Sequence, residues 1–351
     1  MTGNGNDTAQ SRPVLRGSKD RLSEQYDAAL LDLDGVVYLG GVPIPGSAGA
    51  LAEAVRRGMR LAFVTNNASR TPHAIAAQLR GMGIDATATD VVTSAQAAAR
   101  LVAGRFPAGS PVLVSGGTGL RFAVRDRGLR PVTTAAAQPV AVVQGYSPDL
   151  TYGLLAEAAL AIRAGAWFVA SNMDATLPTT RGPQPGNGSL VELLVTATGQ
   201  QPVVAGKPEP PLHAESVERV GAKHPLIVGD RLDTDIEGAH NGGADSLLVL
   251  TGVTTPAEAL LAPQNQRPTF IAANLSGLNA AHPGVDMTEG GFRCGGWTAR
   301  PGGEWLAVSG SGDPLDGLRA LCAAAWASPP HGRDRSQALD AARSVVRQVG
   351  L

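Results

Sequence analysis

Short apolar runs rich in valine, leucine and alanine alternate along the chain with longer stretches whose apolar residues recur at helical spacing. This alternation is typical of a parallel sheet that is covered by helices on both faces. It predicts core strands at about residues 28–32, 60–65, 225–228 and 246–250. The helices predicted between them include residues 47–57 and 72–82. The predicted fold class is therefore α/β, with a Rossmann-like parallel-sheet core.

A second series of strands and helices lies inside the first. Its strands are predicted at about residues 111–114, 140–144 and 167–170. Proline and glycine in the stretches at residues 104–111 and 199–211 mark two places where the chain could cross between domains. We therefore predict a large inserted α/β cap domain, joined to the core by two linkers that permit a hinge.

The two ends of the chain differ from this pattern. The polar segment at residues 1–24 has no apolar stretch of the kind that a secretion signal needs, and we predict a flexible tail. Beyond about residue 283, Gly-rich segments are followed by two helix-like stretches in a small C-terminal extension without a readable motif. Its strands are predicted near Trp297 and at residues 305–309, and its helices at residues 315–327 and 336–349. The predicted domains are the tail at residues 1–24, the core at residues 25–105 and 204–283, the cap at residues 106–203 and the extension at residues 284–351.

Composition supports folded domains and excludes some partners. Hydrophobic residues make up 43 % of the 351 residues and charged residues 17 %, which is enough apolar material for real cores. With a net charge of -1, the chain has no general attraction to nucleic acid, and we expect no nucleic-acid partner. No run approaches the roughly 18 apolar residues of a membrane span, so we expect no membrane insertion. Cys294 and Cys322 form neither a disulfide framework nor a metal cluster, and a reducing cytoplasm is the expected compartment.

The stretch LLDLDGVVYL places two aspartates, Asp32 and Asp34, in a run of apolar strand residues. Residues two apart on a strand face the same side, so these carboxylates are expected to converge. They lie where the first strand gives way to a turn at Gly35, and ligands of open α/β sheets bind at the carboxyl ends of the strands. The pair therefore predicts an active-site edge. The alternative is that one aspartate caps a turn while the other is merely exposed.

Three more apolar strands or linkers are followed by polar residues that could bind a phosphate or a metal ion. A hydroxyl and backbone N–H groups after the second core strand can hold an anion, and a carboxylate cluster at a strand end suits Mg²⁺. Each of these segments, taken alone, also fits an ordinary turn or a solvated charge. The residues concerned are Thr65 and Asn66, then Lys207, then Asp230, Asp233 and Asp235.

Taken together and in this order, the four segments resemble the haloacid dehalogenase superfamily of phosphohydrolases. The signature of that superfamily is DxD near the N-terminus, then Ser or Thr, then Lys, then an acidic GDxxxTD loop. The segments VTNNASRT, SNMDATLPTTRG and VGDRLDTDIEGA are similar to its branch with a large α/β cap inserted between the second and third motifs. That branch includes the nitrophenylphosphatases, the phosphoglycolate or glycerol-phosphate phosphatases and the pyridoxal phosphatases. The resemblance covers about residues 27–283 and excludes both the tail and the extension.

The resemblance implies a phosphoryl-transfer mechanism. It makes Asp32 the nucleophile that becomes a transient aspartyl-phosphate, and Asp34 the acid that protonates the leaving alcohol and then serves as base toward water. It assigns the binding of the phosphate group to Thr65, Asn66 and Lys207.

The resemblance also implies Mg²⁺ as cofactor. The metal ligands would be Asp32, Asp230 and the backbone carbonyl of Asp34. Asp235 would support the metal waters or Lys207 without touching the metal. Asp233 is the less certain candidate for that supporting role.

The cap of this branch roofs the site and selects the leaving group. Specificity is therefore expected in the stretches at residues 144–153 and 171–182, where Asn172, Asp174 and Arg181 could face the substrate. These residues could equally serve only to build the loop. A roofed pocket favours a small phosphorylated metabolite, foremost glycerol 3-phosphate or 2-phosphoglycolate.

Several alternatives stay open at this point. Pyridoxal phosphate and nucleotide monophosphates are the alternative substrates. A phosphotransferase or mutase would use the same aspartyl-phosphate chemistry, and a non-catalytic regulator that binds a phosphometabolite is the non-enzyme hypothesis. A homodimer formed through the cap is one assembly that the resemblance allows. The segment VSGGTGLR at residues 114–121 lacks the lysine and hydroxyl of a P-loop and is interpreted as a cap turn.

Overall fold

A computed structural model of the chain describes residues 15–177, 181–303, 305–330 and 332–351. Within them, a six-stranded, a five-stranded and a four-stranded sheet form the frame, with two further two-stranded pairs. The two larger sheets are parallel and carry helices, so the predicted α/β class with a parallel-sheet core is confirmed. None of the helices in these ranges has the length and apolar composition that a bilayer crossing requires.

The first part of the core precedes the cap. Its helices begin at clear sequence signals: Thr71 caps one of them ahead of Pro72, and Thr93 and Gln96 form a capping box at the start of another. The strands are β1 (Ala28–Leu31), β2 (Tyr38–Leu39), β3 (Val42–Pro43), β4 (Arg60–Thr65) and β5 (Val91–Thr93). The helices are α1 (Leu22–Gln25), α2 (Ser47–Arg56), α3 (Pro72–Gly81) and α4 (Ser94–Arg105).

The cap follows α4 and contains a parallel five-stranded sheet. In chain order its elements are β6 (Pro111–Ser115), α5 (Thr118–Asp126), β7 (Arg130–Val132), β8 (Ala141–Gln144), α6 (Tyr152–Arg163), β9 (Trp167–Ala170), β10 (Thr176–Leu177), β11 (Gln184–Pro185), α7 (Asn187–Thr198) and β12 (Val203–Val204). The sheet order is β12-β9-β8-β6-β7. Because β12 pairs with β9 through both of its residues, the cap sheet crosses the predicted boundary between residues 203 and 204.

The second part of the core completes the six-stranded sheet in the order β15-β14-β13-β1-β4-β5. Its elements are α8 (Pro210–Val220), β13 (Pro225–Gly229), a π-helical turn (Leu232–Ile236), α9 (Glu237–Asn241), β14 (Asp245–Val249), α10 (Pro256–Leu260) and β15 (Phe270–Ala272). β1 lies between β13 and β4, and both pairings are parallel. The loops that follow β1, β4 and β13 therefore meet at one edge of the sheet.

The C-terminal extension is an antiparallel four-stranded sheet with two helices. Its elements are β16 (Asp286–Thr288), β17 (Gly291–Cys294), β18 (Trp297–Gly302), β19 (Trp305–Gly310), α11 (Pro314–Ala327) and α12 (Arg335–Val346). The extension shares an apolar cluster with Leu248 and Ile271 of the core sheet. Trp326 Nε1 also donates a hydrogen bond to the carbonyl of Ala259 at 3.0 Å. The extension therefore packs on the face of the core at β14 and β15.

The predicted flexible tail is only partly described. Residues 1–14 lie outside the described residues. Leu15 and Leu22 are buried, and the backbone N–H of Arg16 donates to the carbonyl of Thr269 at 3.0 Å. The prediction was therefore wrong for residues 15–24, because these two leucines dock the segment on the core.

Cap and core are packed against each other. Buried side chains of α4, β6 and α5 belong to one apolar cluster that runs through both domains. Glu215 on α8, buried, accepts hydrogen bonds from Arg100 on α4 at 3.0 Å and from Arg127, just after α5, at 2.8 Å. A core carboxylate thus links the two domains.

Candidate active site

Lys207 brings together the loops at the carboxyl edge of the core sheet. It follows β12 on the return from the cap, and its Nζ donates hydrogen bonds to Asp32 Oδ1 and, at 2.7 Å, to Asp235 Oδ1. Asp32 comes directly after β1, where its backbone N–H donates to the Val228 carbonyl at 2.9 Å. The lysine is 4 % exposed, so this ion-paired group is largely withdrawn from water.

Three carboxylates crowd this lysine. Among the described residues, Asp32, Asp230 and Asp235 have ligand oxygens that all lie within 4.8 Å of one another. Asp230 is fully buried, and its Oδ2 accepts the N–H of Val253 at 2.7 Å while its Oδ1 has no hydrogen-bond partner in the described part of the chain. Three carboxylates beside one ammonium leave an excess of negative charge. The donor set therefore fits a hard cation such as Mg²⁺, which the sequence predicted.

Glycines let the backbone approach these carboxylates closely. A Cβ on Gly35 or on Gly252 would collide with the carboxylate of Asp230, and one on Gly229 would collide with Asp235. Gly35 also has φ +89°, which favours glycine over residues with a side chain. Any side chain at these positions would push the carboxylates out of the cluster.

Burial and charge shift the pKa values of the cluster. Burial raises the pKa of Asp32 to about 7, although Lys207 acts in the opposite direction. Burial, followed by the charge of Asp235, raises the pKa of Asp230 to about 6. Burial alone would lower the pKa of Lys207, but Asp235 and Asp32 outweigh it and raise that pKa. The lysine is therefore a permanent cation, and the carboxylates gain from a second positive charge nearby.

Asp34 occupies a different environment from Asp32. β1 ends at Leu31, so neither aspartate lies on the strand and the predicted same-side alternation does not apply. Asp34 is exposed, and its Oδ1 accepts the N–H of Gly40 at 3.3 Å in the hairpin formed by β2 and β3. The predicted convergence of the two side chains stays a prediction. The predicted metal contact of Asp34 through its carbonyl stays a prediction.

Thr65 and Asn66 follow β4. Thr65 Oγ1 accepts the N–H of Asn67 at 3.1 Å and so shapes the turn after the strand. Both ends of the Asn66 amide are engaged, since Oδ1 accepts the N–H of Lys207 at 2.8 Å and Nδ2 donates to the Lys207 carbonyl at 3.2 Å. Contact of either residue with phosphate stays a prediction.

The acidic loop after β13 separates its two later aspartates. Asp235 lies in the cluster beside Lys207, and its Oδ2 accepts the N–H of Arg231 at 3.1 Å. Asp233 is exposed and binds Arg231 through two hydrogen bonds of 3.0 and 2.8 Å. Of the two candidates for supporting Lys207, Asp235 is the one that contacts it.

The predicted cap residues take up different positions. Asp174 reaches the core, where Asn66 Nδ2 lies 3.3 and 3.4 Å from its carboxylate oxygens, and burial raises its pKa. Asn172 is buried, and its Nδ2 donates to the Asn66 carbonyl at 2.7 Å. Arg181 is exposed, next to residues 178–180 outside the described residues. Substrate contact by these three side chains stays a prediction.

Two further residues near the cluster were not predicted from the sequence. His213 on α8 is buried, neither ring nitrogen has a partner in the described residues, and burial lowers its pKa to about 4, so the ring is neutral. Thr251 Oγ1 donates to the Gly35 carbonyl at 2.6 Å and fixes the turn after Asp34. A single histidine or threonine inside an ordinary helix or turn pattern carries no signal that would have placed either residue beside the cluster.

Comparisons with known proteins agree with this geometry. Residues 29–130 match the family described as haloacid dehalogenase-like hydrolase, and residues 204–278 match a second, HAD-hydrolase-like family. Residues 294–351 match the family described as GCN5-related N-acetyltransferase like domain, which accounts for most of the extension.

Similar proteins cover most of the chain. A D-glycerol 3-phosphate phosphatase of Mycobacterium tuberculosis is 46 % identical over 313 residues, which are 87 % of each chain. An acid sugar phosphatase of Staphylococcus haemolyticus is 37 % identical over 72 % of this chain and 95 % of its own. The crystal structure of a glycerol phosphate phosphatase from Mycobacterium tuberculosis in complex with magnesium has a TM-score of 0.84 at 43 % identity, covering 94 % of this chain and 99 % of the other. A 4-nitrophenylphosphatase from Thermotoga maritima has a TM-score of 0.68 at 32 % identity, covering 74 % and 98 %.

Proposed function

The chain belongs to the haloacid dehalogenase-like hydrolases, and on that premise we propose that it is a Mg²⁺-dependent phosphatase whose substrate is glycerol 3-phosphate. The substrate is supported by the 46 % identity to a D-glycerol 3-phosphate phosphatase along 87 % of both chains. The observation that carries the chemistry is the hydrogen bond from the buried Lys207 to Asp32, a half-buried carboxylate that follows β1.

Asp32 is the proposed nucleophile. One of its carboxylate oxygens attacks phosphorus, an aspartyl-phosphate forms, and the bond from phosphorus to the glycerol oxygen breaks. Asp34 gives its proton to that oxygen as it leaves. In the second step Asp34 takes a proton from water, the water oxygen attacks phosphorus, and phosphate departs while Asp32 is regenerated. The exposed position of Asp34 is consistent with exchange of this proton with solvent.

Charge neutralisation supplies most of the proposed rate enhancement. Phosphomonoester hydrolysis is among the slowest uncatalysed reactions, with accelerations up to ~10²¹, whereas acid and base help supplies about 10² to 10⁴. Lys207 holds a permanent positive charge beside Asp32 for the phosphoryl oxygens. The cation would be held by Asp32, Asp230 and the Asp34 carbonyl, with Asp235 fixing Lys207 beside it. A bound Mg²⁺ neutralises the phosphoryl charge and keeps Asp32 ionised.

A substrate panel tests the proposed function. The purified protein with Mg²⁺ is assayed against glycerol 3-phosphate, 2-phosphoglycolate, pyridoxal phosphate, nucleotide monophosphates and a sugar phosphate, and released phosphate is measured. We expect the highest kcat/KM for glycerol 3-phosphate and none above background for Asp32→Asn, with an unchanged circular dichroism spectrum. Steady hydrolysis by that pure variant would contradict the nucleophile, and a tenfold preference for another phosphate would contradict the substrate.

Assembly and compartment are separate proposals. We propose a homodimer that pairs through the cap, which is supported by exposed apolar side chains on cap helices: Leu160 on α6 is 57 % exposed and Leu193 on α7 is 44 % exposed. Light scattering of the wild type and of Leu160→Glu tests it, since the dimer is expected to dissociate in the variant. We propose a reducing cytoplasm on the basis of Cys294 and Cys322, which are both buried free thiols.

A further inference from the structure

Asn66 stands at the junction of core and cap, and its amide is hydrogen bonded on both sides. It makes a paired contact with the main chain of Lys207, accepting the N–H at 2.8 Å and donating to the carbonyl at 3.2 Å. The same Nδ2 lies 3.3 and 3.4 Å from the two carboxylate oxygens of Asp174 on the cap. One amide therefore joins the main chain of the lysine to a cap carboxylate.

The main chain of Asn66 is held from the same two directions. Its carbonyl accepts a hydrogen bond from Ser94 Oγ, at the start of α4 in the core, at 2.6 Å. It also accepts one from Asn172 Nδ2, in the cap loop, at 2.7 Å. Ser94 and Asn172 are both buried. A movement of the cap loop would therefore displace Asn66 directly.

Gly206 makes this contact sterically feasible. A Cβ on Gly206 would lie 2.5 Å from Asn66 Oδ1 and 2.5 Å from the carbonyl oxygen of Ser171 in the cap. A side chain immediately before Lys207 would thus force the amide and the cap loop apart. The lack of a side chain at Gly206 thus allows the core, the cap loop and Lys207 to meet.

The position of the Lys207 main chain matters because a long side chain has to bring Nζ to one carboxylate oxygen of Asp32. Its Nζ contacts Asp32 and Asp235, and the stem that carries Nζ starts from the main chain that Asn66 holds. A displacement of about 1 Å at a group that stabilises a transition state can lower the rate by about 10²-fold.

We propose that Asn66 is a positioning residue that couples the cap loop to Lys207. Asp174 orients the Asn66 amide when the cap loop is seated, and the oriented amide holds the lysine main chain so that Nζ meets Asp32. This rests on the proposed phosphatase function, and it gives the Asn66 side chain a different role from the phosphate contact expected from the sequence.

The neighbouring Asn67 offers a matched control. Its Oδ1 only accepts hydrogen bonds, from the N–H and the Oγ of Ser69 at 2.9 Å each and from the N–H of Arg70 at 3.3 Å, so the carboxylate in Asn67→Asp keeps all three. Asn66→Asp loses the donated hydrogen bond to Lys207 and places a second carboxylate against Asp174. We expect kcat to fall by about 10²-fold in Asn66→Asp, with both glycerol 3-phosphate and p-nitrophenyl phosphate, and to change by less than about twofold in Asn67→Asp.

A double-mutant cycle separates positioning from simple stabilisation of the fold. Asp174→Asn is combined with Asn66→Asp, which reverses donor and acceptor between the two side chains. We expect Asp174→Asn to lower kcat by itself but to raise it about tenfold in the Asn66→Asp background. Equal effects in both backgrounds, or equal activity of Asn66→Asp and Asn67→Asp, would overturn the proposal.

Two checks keep the outcomes distinct. Circular dichroism establishes that each variant is folded. If Asn66→Asp does not fold, Asn66→Ser replaces it, because it removes the amide without adding charge. The expected result is then the same loss of kcat with no recovery on addition of Asp174→Asn, and recovery would overturn the coupling. A wild type that hydrolyses no phosphate would refute the proposed function itself, whereas an active wild type with additive variants would refute only the role of Asn66.

Discussion

At the scale of single residues, the two aspartates of the DxD pair differ in exposure, which agrees with the different roles proposed for them. Asp34 is exposed and accepts the N–H of Gly40 at 3.3 Å, whereas Asp32 is held by Lys207. An exposed carboxyl that protonates the leaving group should matter in the first step only when that group needs a proton.

We therefore predict that Asp34→Asn lowers the rate of aspartyl-phosphate formation, measured in a single turnover, by about 10²-fold or more with glycerol 3-phosphate but by less than about tenfold with p-nitrophenyl phosphate. The nitrophenolate leaves without protonation, so its first step does not depend on the acid. Burst kinetics with p-nitrophenyl phosphate should show the aspartyl-phosphate accumulating, because the second step still lacks its base. An equal loss of this first-step rate with both substrates would show that Asp34 is not the acid.

The raised pKa values in the carboxylate cluster predict a pH-dependent affinity for Mg²⁺. The pKa of Asp32 is raised from 3.8 to about 7 and that of Asp230 from 3.8 to about 6, both mainly by burial. In the metal-free protein the folded state therefore binds more protons than the unfolded state, and this stabilisation is lost as pH rises from about 4 through 7. Mg²⁺ must displace those protons at low pH. We expect its affinity at pH 5 to be about 10²-fold weaker than at pH 8, measured by calorimetric titration.

Asp233→Asn provides the control for that titration. Asp233 is exposed and binds Arg231 outside the cluster, so its loss should leave the pH dependence of the affinity unchanged. A Mg²⁺ affinity that is the same at pH 5 and pH 8 in the wild type would contradict the cluster as the metal site.

Sequence reasoning at this scale worked where several motifs occur in the order that the resemblance requires. Asp32, Lys207, Asp230 and Asp235 were predicted from strand ends and from the order of the motifs, and the structure brings all four together. The hydrogen bonding of the Asn66 amide was not predictable, because it depends on the cap loop. Asp174 of that loop, which contacts the amide, lies 108 residues further along the chain.

At the scale of elements, the segment VSGGTGLR has a packing role rather than a phosphate-binding one. Gly119 in the first turn of α5 donates its N–H to the carbonyl of Ser69 at 2.9 Å. A Cβ on Gly119 would collide with the carbonyl of Arg70 and would lie 2.7 Å from that of Ala68. The cap helix thus rests directly on the core loop that follows β4.

Gly119→Ala should therefore destabilise the protein, and Gly153→Ala provides the matched control. Each glycine is the second residue of its helix, α5 or α6, but a Cβ on Gly153 meets only Thr151 Oγ1 at 3.9 Å. We expect Gly119→Ala to lower the free energy of unfolding by about 1–3 kcal/mol, and Gly153→Ala to leave it unchanged or raise it by about 0.5–1 kcal/mol. Urea denaturation measures both, and equal values would contradict the close contact.

Periodicity predicted the long elements well and the short ones poorly. The predicted helices at residues 47–57 and 72–82 correspond to α2 and α3 within a residue at each end. β5 and β15 were missed because each has three residues, too few to establish a pattern against the surrounding helices. Two strands of the extension, β16 and β17, were missed because glycines and charges interrupt their alternation.

At the scale of the whole molecule, the extension is part of the core's packing. Arg319 Nη2 donates to the Ile271 carbonyl of β15 at 2.7 Å, and the guanidinium of Arg267 lies 5.4 Å from the centre of the Trp326 ring. Ile236, adjacent to Asp235 in the acidic loop, belongs to the apolar cluster that the extension completes. Relatives such as the acid sugar phosphatase match 72 % of this chain with 95 % of their own length, so part of this chain has no counterpart in them.

We predict that removal of residues 284–351 destabilises this protein, even though shorter relatives exist. The deletion uncovers buried apolar side chains of the core, among them Leu248 and Ile271, and such a patch favours aggregation. The thermal midpoint and light scattering of the truncated protein should both show the effect. A monodisperse truncated protein with unchanged midpoint and kcat would refute the prediction.

A milder pair of variants isolates the contact between extension and core. Trp326→Phe removes the hydrogen bond to Ala259, whereas Trp305→Phe removes one to Ser328 within the extension. Hydrogen exchange of the amides in α10 should become faster in the first variant and stay unchanged in the second. The partner surface of the extension was not predictable from sequence, because its Gly-rich strands carry no motif and Leu248 and Ile271 look like ordinary apolar residues.

The position of β1 in the sheet has a consequence for synthesis on the ribosome. One edge of β1 pairs with β4, which is made soon afterwards, but the other pairs with β13, which is made only after the entire cap. Until then the nascent chain carries an unpaired apolar strand edge, which is a template for intermolecular pairing. The carboxylate cluster therefore begins to assemble only when about two thirds of the polypeptide has been translated, and Asp230 can join Asp32.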